Sequence, residues 1–203
     1  MKLGIFGGSF DPVHLGHLLV AQAAIEELGL DRLFFIPAAQ SPFKPENQPA
    51  PAAVRLQWLR LALAGRTNCE LDEQEVRRGG ISYTVDTLRD YAHRYSGAKL
   101  FYLIGADNVP KLNEWRAPAE LAGLAEFVAI PRPVWSSGFS QPAGPSAAGT
   151  PDFPAPFRGR ALKGFPFAVS SSGIRARVRA GLSIENLVPA AVAEAIAGAK
   201  IYG

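Results

Sequence analysis

Residues 3–39 pass from a short apolar run, Leu3 to Phe6, through a glycine turn into HLLVAQAAIEEL and then into RLFFIPAA. The middle stretch carries apolar residues at helical spacing and stops at Gly29, where a left-handed cap belongs. Strand, helix and strand in that order make a βαβ unit whose strands run parallel. Proline and polar residues over 41–51 predict a loop. Residues 52–64 then have helical periodicity, and CELDEQEV (69–76) is expected as a strand with a polar edge. YTVDTLRDYAHRY (83–95) is expected as a helix capped by Ser82 or Thr84. KLFYLIGAD, breaking at Gly105, and LAEFVAIPRP, breaking at Pro131, are the expected central strands.

Towards the C-terminus, residues 133–166 are rich in Pro, Gly, Ser and Ala without sustained periodicity and are expected as an insertion or mobile loop. FPFAVS is the expected last strand, SSSGIRARVRAGL a serine-capped helix, and VPAAVAEAIAGAKIY a closing helix with Pro189 near its first turn. Such alternation predicts an α/β chain, an open parallel sheet with helices on both faces, in one domain over residues 1–203. Folds of that type bind ligands at the carboxyl ends of their strands. The loops of interest are therefore GGSFDPVHLGH, PAAQSPFK, GADN, PRP and SSSGIR.

With 203 residues, 48% hydrophobic and 19% charged, the chain suits one globular domain rather than a disordered one. A single cysteine, Cys69, excludes an intrachain disulfide. No leader-like segment opens the chain and no apolar window reaches the roughly 18 residues of a membrane span, so a cytoplasmic protein without membrane partners is expected. Its net charge of +3 suits a phosphate-rich small ligand but is too mild and too scattered for nucleic acid.

Gly7 and Gly8 let backbone N–H groups approach an anion, and a helix starting near Gly16 adds its positive end. His14 and His17, three residues apart, share one helical face and can both point at that anion. A metal site is the competing use of two such histidines, but with only His93 besides them and no cysteine pair, no metal-ligand set is assigned. A buried histidine bonded to backbone is the structural alternative for His17. Neither a GxxxxGK[ST] loop nor GxGxxG occurs, which removes support for P-loop hydrolysis and hydride transfer. At the other end of the chain, VSSSGIRARVR supplies a helix start with hydroxyls and Arg175 one turn in, a second place suited to phosphate.

In their order and spacing, GGSFDPVHLGH, SPFK, SYTVDTL, GADN, EW, PRP and SSSGIR resemble the bacterial nicotinate-nucleotide adenylyltransferases. These belong to the H-x-G-H nucleotidyltransferase superfamily. The resemblance spans Leu3 to the closing helix and is weakest over 133–166. It implies a Rossmann-like sheet of nucleotidyltransferase type and transfer of the adenylyl group of ATP to nicotinate mononucleotide with Mg2+. The products would be deamido-NAD and pyrophosphate. It further implies His14, His17, Lys44 and Arg175 as catalytic residues. ATP would meet Gly7, Gly8, Ser9, Phe10, both histidines, Ile104, Gly105, Asp107, Arg132, Ser171, Ser172 and Arg175. The acceptor would meet Ser9, Lys44, Ser82, Tyr83, Thr84, Asp107, Trp115 and Arg116, with Trp115 stacking on the pyridine ring.

Phe43 stands where many relatives carry histidine, and Ser172 where threonine is usual. Three alternatives stay open: a relative acting on nicotinamide mononucleotide, one acting on phosphopantetheine, and a non-catalytic nucleotide-binding module. The substrates ATP and nicotinate mononucleotide are the expected partners, and assembly into a homo-oligomer is left open.

Overall fold

The apolar run at the N-terminus becomes β1 (Lys2–Gly8), whose residues from Leu3 to Phe6 are all buried because both faces of the strand are covered. The computed structural model describes residues 1–40, 42, 49–131, 151–165 and 167–202. The described helices and strands are α1 (Leu15–Leu28), β2 (Arg32–Pro37), α2 (Ala52–Leu63), β3 (Cys69–Leu71), α3 (Gln74–Arg78), α4 (Thr84–Arg94) and β4 (Lys99–Gly105), then a 3-10 helix (Ala106–Glu114). They continue with α5 (Pro118–Leu124), β5 (Glu126–Ile130), β6 (Gly159–Ala161), α6 (Ser171–Arg179) and α7 (Ala190–Ala199).

All six strands are parallel, in the order β3-β2-β1-β4-β5-β6. The chain winds outward from β1 in one direction and then crosses over to β4 and winds the other way. A crevice therefore opens at the carboxyl ends of β1 and β4, where ligands of open α/β sheets bind. Strand pleating splits the core. Leu3 and Ile5 face α4, the 3-10 helix and α5 together with Tyr102, Val109, Leu121 and Phe127. Phe6 faces α1, α2, α6 and α7, packing with Trp58, Phe35, Ile174 and Val192. Gly4 leaves room on that face for Leu30, whose Cδ1 a Cβ there would approach to 2.6 Å.

Most expected elements form, and α1 ends at Gly29 with φ 61° as the sequence predicts. Three expectations need correction, and two elements are additional. The strand read over 69–76 stops at Leu71, because Asp72 Oδ1 accepts from Gln74 N at 3.0 Å and turns the chain into α3. Helix α4 has no side-chain cap at all: Ser82 Oγ accepts from Ala39 N, and the Thr84 hydroxyl pairs with that of Tyr102. The last described strand is Gly159–Ala161, inside the stretch read as an insertion, and the described residues of FPFAVS form no strand, Pro166 lying outside them. Gly159 permits that strand to pack, for a Cβ there would sit 2.6 Å from the Phe127 carbonyl oxygen. Finally, the 3-10 helix and α5 were not anticipated, since Pro110 and Pro118 break any long periodic pattern. No helix among the described residues is long and apolar enough to cross a membrane.

Candidate active site

The loop between β1 and α1 lies at the crevice and is held from three sides. Arg55 in α2, 1% exposed, donates through Nη1 to Ser9 O at 2.7 Å and through Nε to Ala50 O at 2.9 Å. From α6, Ser171 Oγ donates to Pro12 O at 2.9 Å and Arg175 Nη1 donates to Asp11 O at 2.7 Å. Leu15 N, at the start of α1, donates to Leu187 O at 2.9 Å. Phe10 takes φ 46°, a left-handed conformation unusual for a side chain of that size, and packs edge-on against Phe6 and His17. Such a conformation persists only where the surroundings over-determine it. Gly8 leaves room for the Phe10 ring, which a Cβ would approach to 3.1 Å.

His14 and His17 open α1 as a reciprocal cap. His17 N donates to His14 Nδ1 at 3.3 Å, and His14 N donates to His17 Nδ1 at 3.2 Å. The rings stack with centroids 3.7 Å apart. Each Nδ1 is thus an acceptor, which assigns the proton of the neutral ring to Nε2. Burial lowers the pKa of His14 from 6.5 to about 4. Burial, with the neighbouring His14, also holds His17 well below its ordinary value. The positive end of α1 acts in the same direction. At neutral pH the pair is therefore two neutral Nε2–H donors rather than two cations, which refines the charge-stabilising role read from the sequence.

Helix α6 brings its own N-terminus to the same loop. Ser170 caps it, accepting from Gly173 N at 3.1 Å, and Ser172 Oγ lies 3.2 Å from Ser170 Oγ. Because the Ser171 hydroxyl already serves Pro12, that residue offers an incoming anion chiefly its backbone. The described hydrogen bond of Arg175 uses one of five guanidinium N–H donors.

Two of the residues assigned to the acceptor, Thr84 and Trp115, meet at Tyr102. Its hydroxyl lies 3.2 Å from Thr84 Oγ1, and a Cβ at Gly7 would come within 2.6 Å of it. The Trp115 ring stands perpendicular to the Tyr102 ring at 6.2 Å and edge-on, at 76°, to the Phe127 ring at 6.3 Å. Arg116 lies over the Tyr83 ring at 4.6 Å and reaches Asp86 at 3.9 Å. Ser82, 8% exposed, ties Ala39 to this segment. Ile104 and Gly105 close β4 beside β1, and Asp107 lies in the first turn of the 3-10 helix. Lys44, Phe43 and Arg132 lie outside the described residues.

Several supporting residues were not identified from the sequence. Asp11 sits inside the first motif, yet nothing in its spacing shows that its carboxylate faces inward. Arg55 lies between apolar residues of a helix and reads as a surface position. Tyr102 had a signal: a hydroxyl in the middle of an apolar strand needs a partner when buried. Glu75, also buried, accepts from Thr87 Oγ1 at 2.6 Å, and burial raises its pKa. Among the described residues no group of three His, Cys, Asp or Glu could hold a metal ion.

The cytidylyltransferase-like family profile matches residues 5–177. The chain is 40% identical over 189 residues to a protein of Opitutus terrae named "Probable nicotinate-nucleotide adenylyltransferase", the match covering 93% of this chain and 91% of the relative. A protein of Gemmatimonas aurantiaca with the same name is 40% identical over 202 residues, covering 100% and 92%. Among solved structures, the Plasmodium falciparum nicotinic acid mononucleotide adenylyltransferase complexed with NaAD superposes with a TM-score of 0.74 at 16% identity, over 99% of this chain and 97% of that one. The same enzyme complexed with APC gives a TM-score of 0.71 over 99% and 96%. At that identity the likeness is one of fold.

Proposed function

From the premise that the chain belongs to the cytidylyltransferase-like family, we infer that it is a nicotinate-nucleotide adenylyltransferase of NAD biosynthesis. It transfers the adenylyl group of ATP to nicotinate mononucleotide, yielding nicotinate adenine dinucleotide and pyrophosphate. The observation that carries this is the 40% identity, over nearly the whole of both chains, to relatives named for that reaction. Enzymes of this family use a divalent metal with ATP. We propose magnesium, entering as part of the substrate on the triphosphate and water.

In the reaction an oxygen of the acceptor's 5′-phosphate attacks the α-phosphorus of ATP in line. The new P–O bond forms as the bond to the bridging oxygen breaks, and the electron pair leaves with pyrophosphate. No protein nucleophile is required, so catalysis rests on positioning and on stabilising the developing charge. We assign the Nε2–H groups of His14 and His17 to the phosphate oxygens beside the reacting phosphorus, where two neutral donors need no protonation step. Arg175, with Ser171 and Ser172 at the start of α6, would take the departing pyrophosphate, and Lys44 would reach in from its loop. The backbone of Gly7, Gly8, Ser9 and Phe10, with Arg132, completes the proposed ATP side. Ile104, Gly105 and Asp107 would face the adenosine. Trp115 is proposed to stack on the pyridine ring, with Ser82, Tyr83, Thr84 and Arg116 around its carboxylate.

A coupled pyrophosphate-release assay with ATP, magnesium and nicotinate mononucleotide tests the assignment. Turnover with this acceptor, above that with nicotinamide mononucleotide or phosphopantetheine, is the expected result. Turnover with either of the others and none with nicotinate mononucleotide overturns it.

A further inference from the structure

The far end of the chain enters the phosphate site through one side chain. Tyr202, 5% exposed, donates its hydroxyl to Asp11 Oδ1 across 191 residues of sequence, while its ring lies 5.7 Å from that of buried Trp58. Ala50 N donates to the same Oδ1 at 3.2 Å. The other oxygen, Oδ2, stands 3.6 Å from Arg175 Nη1, beyond hydrogen-bond distance, while Nη1 donates to the Asp11 carbonyl at 2.7 Å. The guanidinium is thus hydrogen-bonded to a neutral carbonyl and held in only a loose, one-armed ion pair by the carboxylate beside it.

We propose that Tyr202 is a positioning residue for adenylyl transfer: by holding Asp11 Oδ1, it keeps the carboxylate from capturing Arg175 in a bidentate ion pair. This rests on the reading that Arg175 grips the pyrophosphate end of ATP. Arg–carboxylate and Arg–phosphate pairs use the same planar fork, so a guanidinium locked on Asp11 is withdrawn from the nucleotide. The phenol is suited to the task because burial, and then the bond to Asp11, push its ionisation upward and keep it a donor. Arg55, whose side chain also lies near Asp11, is committed to two carbonyls and leaves the carboxylate to Tyr202, Ala50 and Arg175.

The test is Y202F, which removes one oxygen and keeps the ring on Trp58. The Michaelis constant for ATP should rise about tenfold, the scale of one charge-assisted hydrogen bond, with that for nicotinate mononucleotide changed less than about twofold. In a D11N background the same substitution should leave ATP binding within about threefold, because no carboxylate remains to capture Arg175. An unchanged ATP constant in Y202F, equal losses for both substrates, or the same loss in both backgrounds overturns the proposal. If Y202F alone loses its cooperative melt, D11N/Y202F is compared with D11N, and a tenfold difference in ATP affinity overturns it. Calorimetric titration with a non-hydrolysable ATP analogue separates the two readings. A wild-type chain that binds the analogue but does not turn over nicotinate mononucleotide removes the assigned reaction, and the Y202F titration still decides this proposal. A wild-type chain that does neither overturns both.

Discussion

Lowering the pH from 7 to 5 should remove part of the stability through both buried histidines, and His14 supplies a share that can be isolated. In the folded chain its imidazole titrates at about 4, against 6.5 when solvated, because burial disfavours the charged ring. Between those two values the unfolded chain binds the proton and the folded chain does not. Stability therefore rises with pH through the window, is fully present above about 6.5 and is lost below about 4. A shift of this size corresponds to about 3 kcal/mol over the whole window, of which about 2 kcal/mol falls between pH 7 and 5. The perturbation that isolates it is H14N. Asparagine is a good N-cap, so an acceptor for the His17 N–H is retained while the titration is deleted. Urea unfolding of both proteins at pH 7, 6 and 5 supplies the measurement. Carboxylates whose pKa is displaced, such as Asp72 and Glu75, contribute equally to both and cancel in the difference. The stability of wild type relative to H14N should shrink by about 2 kcal/mol on going to pH 5. Parallel curves would refute the neutral-histidine account and return the pair to cations at physiological pH.

Three further outcomes are expected. R55A should cost about 3 kcal/mol in urea unfolding, since it strands the Ser9 and Ala50 carbonyls, and R55K should recover less than half because lysine cannot span both; wild-type stability in R55A would count against the buried clamp. G7A should destabilise by about 1–3 kcal/mol through the contact with the Tyr102 hydroxyl, and Y102F should relieve most of it in the double variant; additive losses would show that the crowding lies elsewhere. W115A should raise the Michaelis constant for nicotinate mononucleotide about tenfold and that for ATP much less; equal increases in steady-state assays would remove the stacking role.

What was legible in the sequence was whatever repeats or punctuates. The run from Leu3 to Phe6, the periodicity of α1 and the stop at Gly29 announce their structures locally. The alternation of elements was enough to predict parallel pairing. The short edge strand β6 was not readable, because three residues carry no period and Gly159 is there for close approach to β5, which only the partner strand explains. At the site, two of the loops singled out by their motifs lie together: Ser171 and Arg175 reach the loop before His14 across 159 and 164 residues of sequence. Asp11, Arg55 and Tyr202 escaped for one reason. Each acts by pointing inward at a backbone or carboxylate supplied by a distant element, and a charge or hydroxyl shows no direction until the chain has folded.

The reciprocal cap also turns HLGH into a ruler. Each imidazole is fastened by the main chain of the other, so neither ring can be re-aimed without loosening its mate. Inserting one residue between them would rotate the second ring by about 100° around the helix and undo both fastenings together. The two-residue interval therefore sets the start of α1 and the aim of both donors in a single measure.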